Sequence, residues 1–177
     1  FSDALAILRK MNELDVQMPI IGIGAWLTLP AYVDNIGAGL IENTMAVTGS
    51  HPLAGQETNV GNFTATAEEP FMIQDSLSGY AHAWLVKQAI EESGSADPTV
   101  IRETLANTTF TEGPAVTSFP VDQINFEASG IMQDAQVVMA QWQEKGDADV
   151  GTDAAPFTVF PQDYRVRDVV WQPADYS

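Results

Sequence analysis

The sequence contains no cysteine, so the chain can form no disulfide and offers neither a thiolate nucleophile nor a cysteine-ligated zinc site. Its two histidines, His51 and His82, lie far apart in the sequence, whereas a metal site needs two or three converging ligands. We read His82 as a helix-face residue. Motifs of zinc proteases, serine hydrolases and phosphate-binding loops are absent, and Gly22-Ile23-Gly24 begins like a dinucleotide-binding loop but lacks its third glycine. The residues therefore predict no catalytic residue, no metal and no cofactor.

Basic residues are also scarce. Lys and Arg total 7 against 24 Asp and Glu, which gives a formal net charge of −17. A chain this acidic repels phosphate backbones and anionic lipid, so nucleic acid and membrane surfaces are disfavoured as partners. Long apolar runs are missing too, since no stretch approaches the roughly 18 consecutive apolar residues of a membrane-spanning helix. Apolar residues nevertheless make up 45% of the 177 residues, which is enough for a packed core.

The first 48 residues have the pattern of an α/β unit. Apolar residues at helical spacing predict a helix over residues 2–14, with Ser2 as its N-cap. Residues 19–23 are mostly apolar and are followed by Gly24, which predicts a buried strand. A loop leads to a short predicted helix over 30–37, and residues 44–48 predict a second strand. This alternation of helices and strands is typical of α/β folds.

The remainder divides into a polar stretch, two helices and a β-rich end. Residues 49–69 lose helical periodicity, which predicts a long surface loop or a crossing between domains. A long helix follows, with Asp75 or Ser76 as its cap and Gly94 as its left-handed stop. Asp97-Pro98 begins another helix that ends near residue 107. Strands are predicted at 121–126, 135–142 and 157–161, a turn at 127–130 and an acidic exposed loop at 146–155.

One loop has the position of a ligand site. Open α/β sheets bind ligands in the crevice beyond the carboxyl ends of their strands, and the loop Gly22–Trp26 follows a predicted strand. Its glycines would let a ligand approach the backbone, and Trp26 could stack on it. The alternative is that Gly22 and Gly24 only serve a tight turn and that Trp26 belongs to the core.

Several segments together carry a family resemblance. They are DALAILRKM and PIIG (3–11 and 19–22), DSLSGY and AIEESGSADPTVIRETL (75–80 and 89–105), INFEASG (124–130), QWQEKG (141–146) and VFP (159–161). In order and spacing these segments resemble the C-terminal half of type I periplasmic solute-binding proteins of ABC transporters, the family of branched-chain amino acid-binding and amide-binding proteins.

The resemblance implies an α/β fold of two Rossmann-like lobes, with parallel sheets flanked by helices, present here only in part. Residues 1–48 would belong to the second lobe, 49–118 would form a crossing and helices of the first lobe, and 119–177 would return to the second lobe and form the tail. The N-terminal half of the same protein would then be a partner missing from this chain. We accordingly expect the start at Phe1 to lie inside a larger protein or to follow processing.

The function implied by the resemblance is that of an extracytoplasmic solute-binding subunit, in the periplasm or at the cell surface. It would capture an amino acid, an amide or a small carboxylate by hinge closure, without chemistry and without a cofactor, and then dock on the membrane subunits of an ABC importer. Two alternatives are a ligand-sensing domain of a receptor or amide regulator on the same fold, and an enzyme whose catalytic residues lie in the missing half.

The resemblance also marks positions for ligand contact. They are Phe1, Ser2, Ile23, Gly24, Ala25, Trp26, Asp75 and Ser76. The family's ammonium-binding carboxylate falls at Gly24 here, so amides, aromatic or short-chain carboxylates and neutral ligands suit this loop better than a branched-chain amino acid does, unless Asp75 or an acid in the missing half substitutes. The alternative role for Asp75 and Ser76 is helix capping.

Overall fold

The computed structural model describes residues 1–16, 18–146 and 154–171. Its α-helices are α1 (Ser2–Glu13), α2 (Ala31–Ile36), α3 (Ala38–Ile41), α4 (Glu57–Ala67), α5 (Gln74–Ser93) and α6 (Pro98–Asn107). Its strands are β1 (Ile21–Ile23), β2 (Met45–Thr48), β3 (Val138–Glu144) and β4 (Ala154–Phe160), and short 3₁₀ turns lie at Ala25–Thr28, Val116–Ser118 and Gln162–Tyr164. Within the described ranges, no helix combines the length and the apolar character needed to cross a membrane.

The described strands form one mixed sheet in the order β1-β2-β3-β4. β1 runs parallel to β2, whereas β3 is antiparallel to both β2 and β4. The α/β class predicted from the sequence is therefore confirmed, but this sheet is not parallel throughout, as the resemblance had implied. The short link between β3 and β4 suits an antiparallel pair, because a parallel pair needs a crossover of about a dozen residues or more.

A first hydrophobic cluster lies between α1–α3 and one face of the sheet. Leu5 and Leu8 of α1 are buried there against Ala46 of β2 and Trp142 of β3. The indole of Trp142 is fully buried and donates a hydrogen bond of 2.8 Å from Nε1 to the carbonyl oxygen of Leu27. The helical spacing of Leu5 and Leu8 thus produces the buried face that the sequence predicts.

A second, separate hydrophobic cluster lies around α5 and α6. Its buried members are Leu85, Ala89, Phe110, Ala115, Val116 and Ile124. The residues just before α5 belong to the first cluster, since Phe71 is buried in it and Ile73 packs against it. The chain therefore passes from one cluster to the other along α5. The predicted division at residues 48 and 118 stays a prediction.

The predicted strand 19–23 is not buried. β1 is shorter, and its side chains Ile21 and Ile23 are 54% and 82% exposed. The strand register places Ile23 opposite Val47, Val47 opposite Met139 and Met139 opposite Phe160, so these four side chains form one row on one face of the sheet. We call this the apolar row. The first cluster packs on the opposite face, and among the described residues β1 has a neighbouring strand on one side only.

Several predicted helix boundaries need correction. Phe1, not Ser2, is the N-cap of α1, and no side chain caps that helix. The predicted loop 49–69 contains α4, which was missed because it has no buried residue and hence no apolar periodicity. The stop of α5 at Gly94 is confirmed by its left-handed backbone, with φ +64°. The start of α6 is confirmed as well, because Asp97 is its N-cap and Pro98 its first residue.

The β-rich end is confirmed in part. The predicted strand 121–126 makes only isolated bridges, Phe110 with Ile124 and Phe126 with Met132. The turn at 127–130 is present, since the Gly130 N–H donates to the Glu127 carbonyl at 2.8 Å. The two last predicted strands correspond to β3 and β4 with shifted ends. Of the predicted loop 146–155, residues 147–153 lie outside the described residues.

Candidate functional site

The loop after β1 folds tightly around its own tryptophan. Gly24 has φ +109°, a conformation that side-chain-bearing residues rarely adopt, and a Cβ added there would lie 2.9 Å from Cδ1 of Trp26. The indole Nε1 of Trp26 donates to the carbonyl oxygen of Ile23 at 2.8 Å. Glycine is therefore required at position 24 both by the backbone and by the ring beside it.

The residues that follow this loop are buried, whereas the loop itself is partly exposed. Leu27 and Thr28 are fully buried, and the Thr28 hydroxyl donates to the Ala25 carbonyl at 2.7 Å. Above them, Gly24 and Ala25 are half-buried and Trp26 is 41% exposed. Trp26 is thus not a core residue. Of the two glycines predicted to serve a tight turn, Gly24 has the positive φ of a turn residue, whereas Gly22 lies within β1 and has none. The loop thus presents one partly exposed aromatic side chain, while the Ile23 and Ala25 carbonyls and the Gly24 N–H are held in hydrogen bonds within the protein.

Hydrogen bonds connect this loop to the end of β2. The Gly24 N–H donates to the Val47 carbonyl at 2.7 Å, which continues the parallel pairing beyond β1. The side-chain oxygen of Gln74 then accepts hydrogen bonds from the Gly49 N–H, at 2.7 Å, and from the Thr48 hydroxyl. Two loops at the carboxyl ends of parallel strands and the first turn of α5 therefore meet at one edge of the molecule.

Asp75 and Ser76 lie in that first turn of α5. The helix begins at Gln74 with Ile73 as its N-cap and with no capping side chain, so the capping role predicted for Asp75 or Ser76 is wrong. Asp75 is exposed and Ser76 is half-buried. The carboxylate of Asp75, in the first helical turn, interacts favourably with the helix dipole. Neither Asp75 nor Ser76 acts as a cap of α5.

Phe1 and Ser2 have different surroundings. The ring of Phe1, 46% exposed, packs edge-on against Tyr32 of α2 with ring centroids 4.7 Å apart. Ser2 is exposed at the start of α1. The contact that positions Phe1 is thus with α2 and not with the loop of Gly24 and Trp26. Gly24 is hydrogen-bonded to Val47 of β2, and Gln74, the residue before Asp75, is bonded to Gly49 just after β2. That positions 23–26, 75–76 and the first two residues share one ligand site stays a prediction.

A buried histidine follows the end of β2. His51 Nδ1 lies 3.1 Å from Oγ1 of Thr158, whose own hydroxyl donates to the Pro52 carbonyl at 2.7 Å. Thr158 must therefore accept from His51, which places the ring proton on Nδ1. Burial lowers the pKa of His51 to about 3, because the charged ring would be cut off from water. His82, in contrast, is exposed on α5.

The described residues contain no cluster of three or more histidine or carboxylate side chains that could hold a metal ion. The polar residues that sequence reasoning missed are Thr48, Ser50, Gln74 and Ser78. Ser50 and Ser78 are joined by a hydroxyl–hydroxyl contact of 2.9 Å. No local sequence signal marks these residues, because their bonds connect positions 25 or more apart in the chain.

No known family model matches the sequence, and a search of curated proteins finds no significant match.

Proposed function

We propose that the chain is part of an extracytoplasmic solute-binding subunit of an ABC importer, which captures a small polar ligand between two lobes. The observation that carries the proposal is the edge at the carboxyl ends of β1 and β2. There Trp26 is 41% exposed, Gly24 is hydrogen-bonded to Val47 of β2, and Gln74 in the first turn of α5 is hydrogen-bonded to Gly49 just after β2. Crevices at this position of α/β sheets are the usual place for ligands.

The chemistry of the loop 22–26 favours a neutral ligand or a short carboxylate over a ligand with an ammonium group, unless Asp75 in the first turn of α5 supplies the opposite charge. Position 24 holds glycine, so the loop has no carboxylate to balance a ligand ammonium, and a buried ammonium needs such a partner. Trp26 offers a flat apolar surface with its N–H already bound to Ile23. An amide or a small aromatic or aliphatic acid can use both the backbone groups and this ring.

Two separate hydrophobic clusters joined along α5 support capture by closure. Each cluster is a packed unit, and Gln74, which is hydrogen-bonded to Gly49 after β2, lies where the chain passes between them. A ligand that contacts both units binds the closed arrangement more tightly than the open one and so shifts the equilibrium toward closure. Membrane subunits of the importer would then recognise the closed form in the periplasm or at the cell surface.

The apolar row supports the presence of a further half of the same protein. Ile23 and Phe160 are 82% and 56% exposed, and Ala46 and Trp142 of the first cluster face the opposite side of the sheet. Parallel strands are normally covered on both faces. We expect the N-terminal half to cover the row and to pair with the outer edge of β1.

Ligand capture is tested by titration calorimetry and tryptophan fluorescence with acetamide, propionate, benzoate and leucine. We expect acetamide or one of the two carboxylates to bind more tightly than leucine. Trp26→Ala should weaken that binding about tenfold, because a buried aromatic contact is lost. Trp171→Ala removes another exposed tryptophan, 66% exposed in the tail, and should leave binding unchanged. Equal losses in both variants would contradict the proposal, as would the absence of heat from every compound when the second half is present in the sample.

The missing half is tested by native and then denaturing mass spectrometry of the protein purified from its source. We expect this 19.1 kDa sequence either as one part of a longer chain or bound to a second polypeptide of similar size. Detection of the 19.1 kDa chain by itself in both measurements would refute the need for a second half.

A further inference from the structure

The two hydrophobic clusters are connected by polar side-chain contacts as well as by the chain. The contacts run from the segment after β2 to the second cluster's helices and turns. Ser50 contacts Ser78 of α5, and the Gln56 amide donates to the Thr117 carbonyl beside the buried Val116. Gln74 makes the third connection, at the point where α5 leaves the first cluster.

Of these three connections, the one made by Gln74 consists of two hydrogen bonds to a single atom. Its side-chain oxygen accepts from the Gly49 N–H and from the Thr48 hydroxyl, so one atom binds the last residue of β2 and the residue after it. The residue before it, Ile73, packs in the first cluster, whereas Leu85 three turns later is buried in the second. Gln74 therefore lies at the change from one cluster to the other.

The bond fixes the direction of α5. A helix of 20 residues is about 30 Å long, so a small rotation at its first residue moves its far end by several ångströms. A Cβ placed at Gly49 would lie at ordinary contact distance, 3.5 Å, from the Gln74 oxygen, so the bond does not itself require glycine there. The amide is also uncharged, so neither salt nor pH weakens this connection over the physiological range.

We propose that Gln74 is a positioning residue that sets the angle between the two clusters. Its side-chain oxygen holds α5 against the end of β2, and losing this acceptor frees the second cluster to rotate. The effect on ligand capture rests on the function proposed above, whereas the effect on the angle does not.

The experiment uses the absence of cysteine, which allows spin labels to be placed at chosen positions without background. Asp34→Cys on α2 and Glu103→Cys on α6 are exposed and report the distance between the clusters by pulsed electron paramagnetic resonance. Gln74→Leu should shift and broaden the distance distribution. Gln74→Glu keeps an acceptor oxygen and should restore the parent distribution. Gln123→Leu, at an exposed position in the second cluster's surroundings, is the matched control and should change nothing.

Circular dichroism on each labelled variant shows whether it folds. If Gln74→Leu does not fold, Thr48→Val removes one of the two donors with little change in volume and should broaden the distribution to a smaller extent. A Gln74→Leu or Thr48→Val distribution that superimposes on the parent would overturn the proposal, as would a Gln74→Glu distribution that stays as broad as that of Gln74→Leu. These distances need no ligand. If no compound binds in calorimetry when the second half is present, the proposal of ligand capture is refuted, but the distance measurements still test whether Gln74 positions α5.

Discussion

Gly24 is the residue whose replacement should cost most at the candidate site. Its φ of +109° and the Trp26 ring, 2.9 Å from where a Cβ would lie, both exclude a side chain. We expect Gly24→Ala to lower the free energy of unfolding by roughly 1–3 kcal/mol, measured by urea denaturation. Gly37→Ala is the matched control, because Gly37 also has a positive φ, +78°, but no atom within 4 Å of its Cβ position. A loss at Gly24 no larger than at Gly37 would mean that the ring contact imposes no constraint.

His51 should make stability depend on pH with a known sign. Its pKa is about 3 in the folded chain against an ordinary 6.5, so below pH 6.5 the unfolded chain binds a proton that the folded chain does not. Proton binding to His51 in the unfolded chain therefore leaves the free energy of unfolding unaffected above pH 6.5 and lowers it progressively as pH falls toward 3. We expect His51→Asn, which keeps a donor for Thr158 but does not titrate, to flatten the fall in unfolding free energy just below pH 6.5. His82→Asn, at an exposed helix position, should leave that slope unaltered.

Among the elements, those with local chemical signals were predictable and those without were not. The start of α6 follows from Asp97 and Pro98 alone, because the cap and the fixed proline φ act within one turn. α4 has no buried residue and therefore no apolar stripe to reveal it. β1 was recognised as a strand, but its exposure depends on which other segments cover it, and no pattern within residues 19–23 contains that information.

The capping of α6 gives a prediction at the same scale. The Asp97 carboxylate accepts hydrogen bonds from the Thr99 and Val100 N–H groups at 2.8 and 3.3 Å. We expect Asp97→Ala to lower the free energy of unfolding by about 1 kcal/mol in urea denaturation, because two helix N–H groups lose their acceptor. Asp97→Asn retains a side-chain oxygen and should recover most of that loss. Equal losses in both variants would point to the charge rather than to the cap.

For the molecule as a whole, the only part of the candidate site that could be predicted from the sequence is the loop that directly follows a strand. The loop at Gly24 and Trp26 could be located because ligand loops follow strands in α/β folds. The contact of Gln74 with Gly49 spans 25 residues and depends on how the clusters pack, so no sequence motif foretells it. Phe1 illustrates the same limit, since its partner Tyr32 is set by the packing of α1 on α2.

The net charge of −17 leads to a prediction about the whole chain. Like charges repel more strongly in the compact state, and the ion pairs Lys10–Glu13, Lys87–Glu91 and Arg165–Asp168 are on the surface, where screening removes little stability. The Debye length falls from about 30 Å at 0.01 M salt to about 10 Å at 0.1 M, so added salt should relieve the repulsion. We therefore expect the melting temperature, followed by circular dichroism, to rise with NaCl over this range. KCl should give the same curve if the cause is screening. A melting temperature that stays level or falls would show that the acidic residues are spaced widely enough for their repulsion not to matter.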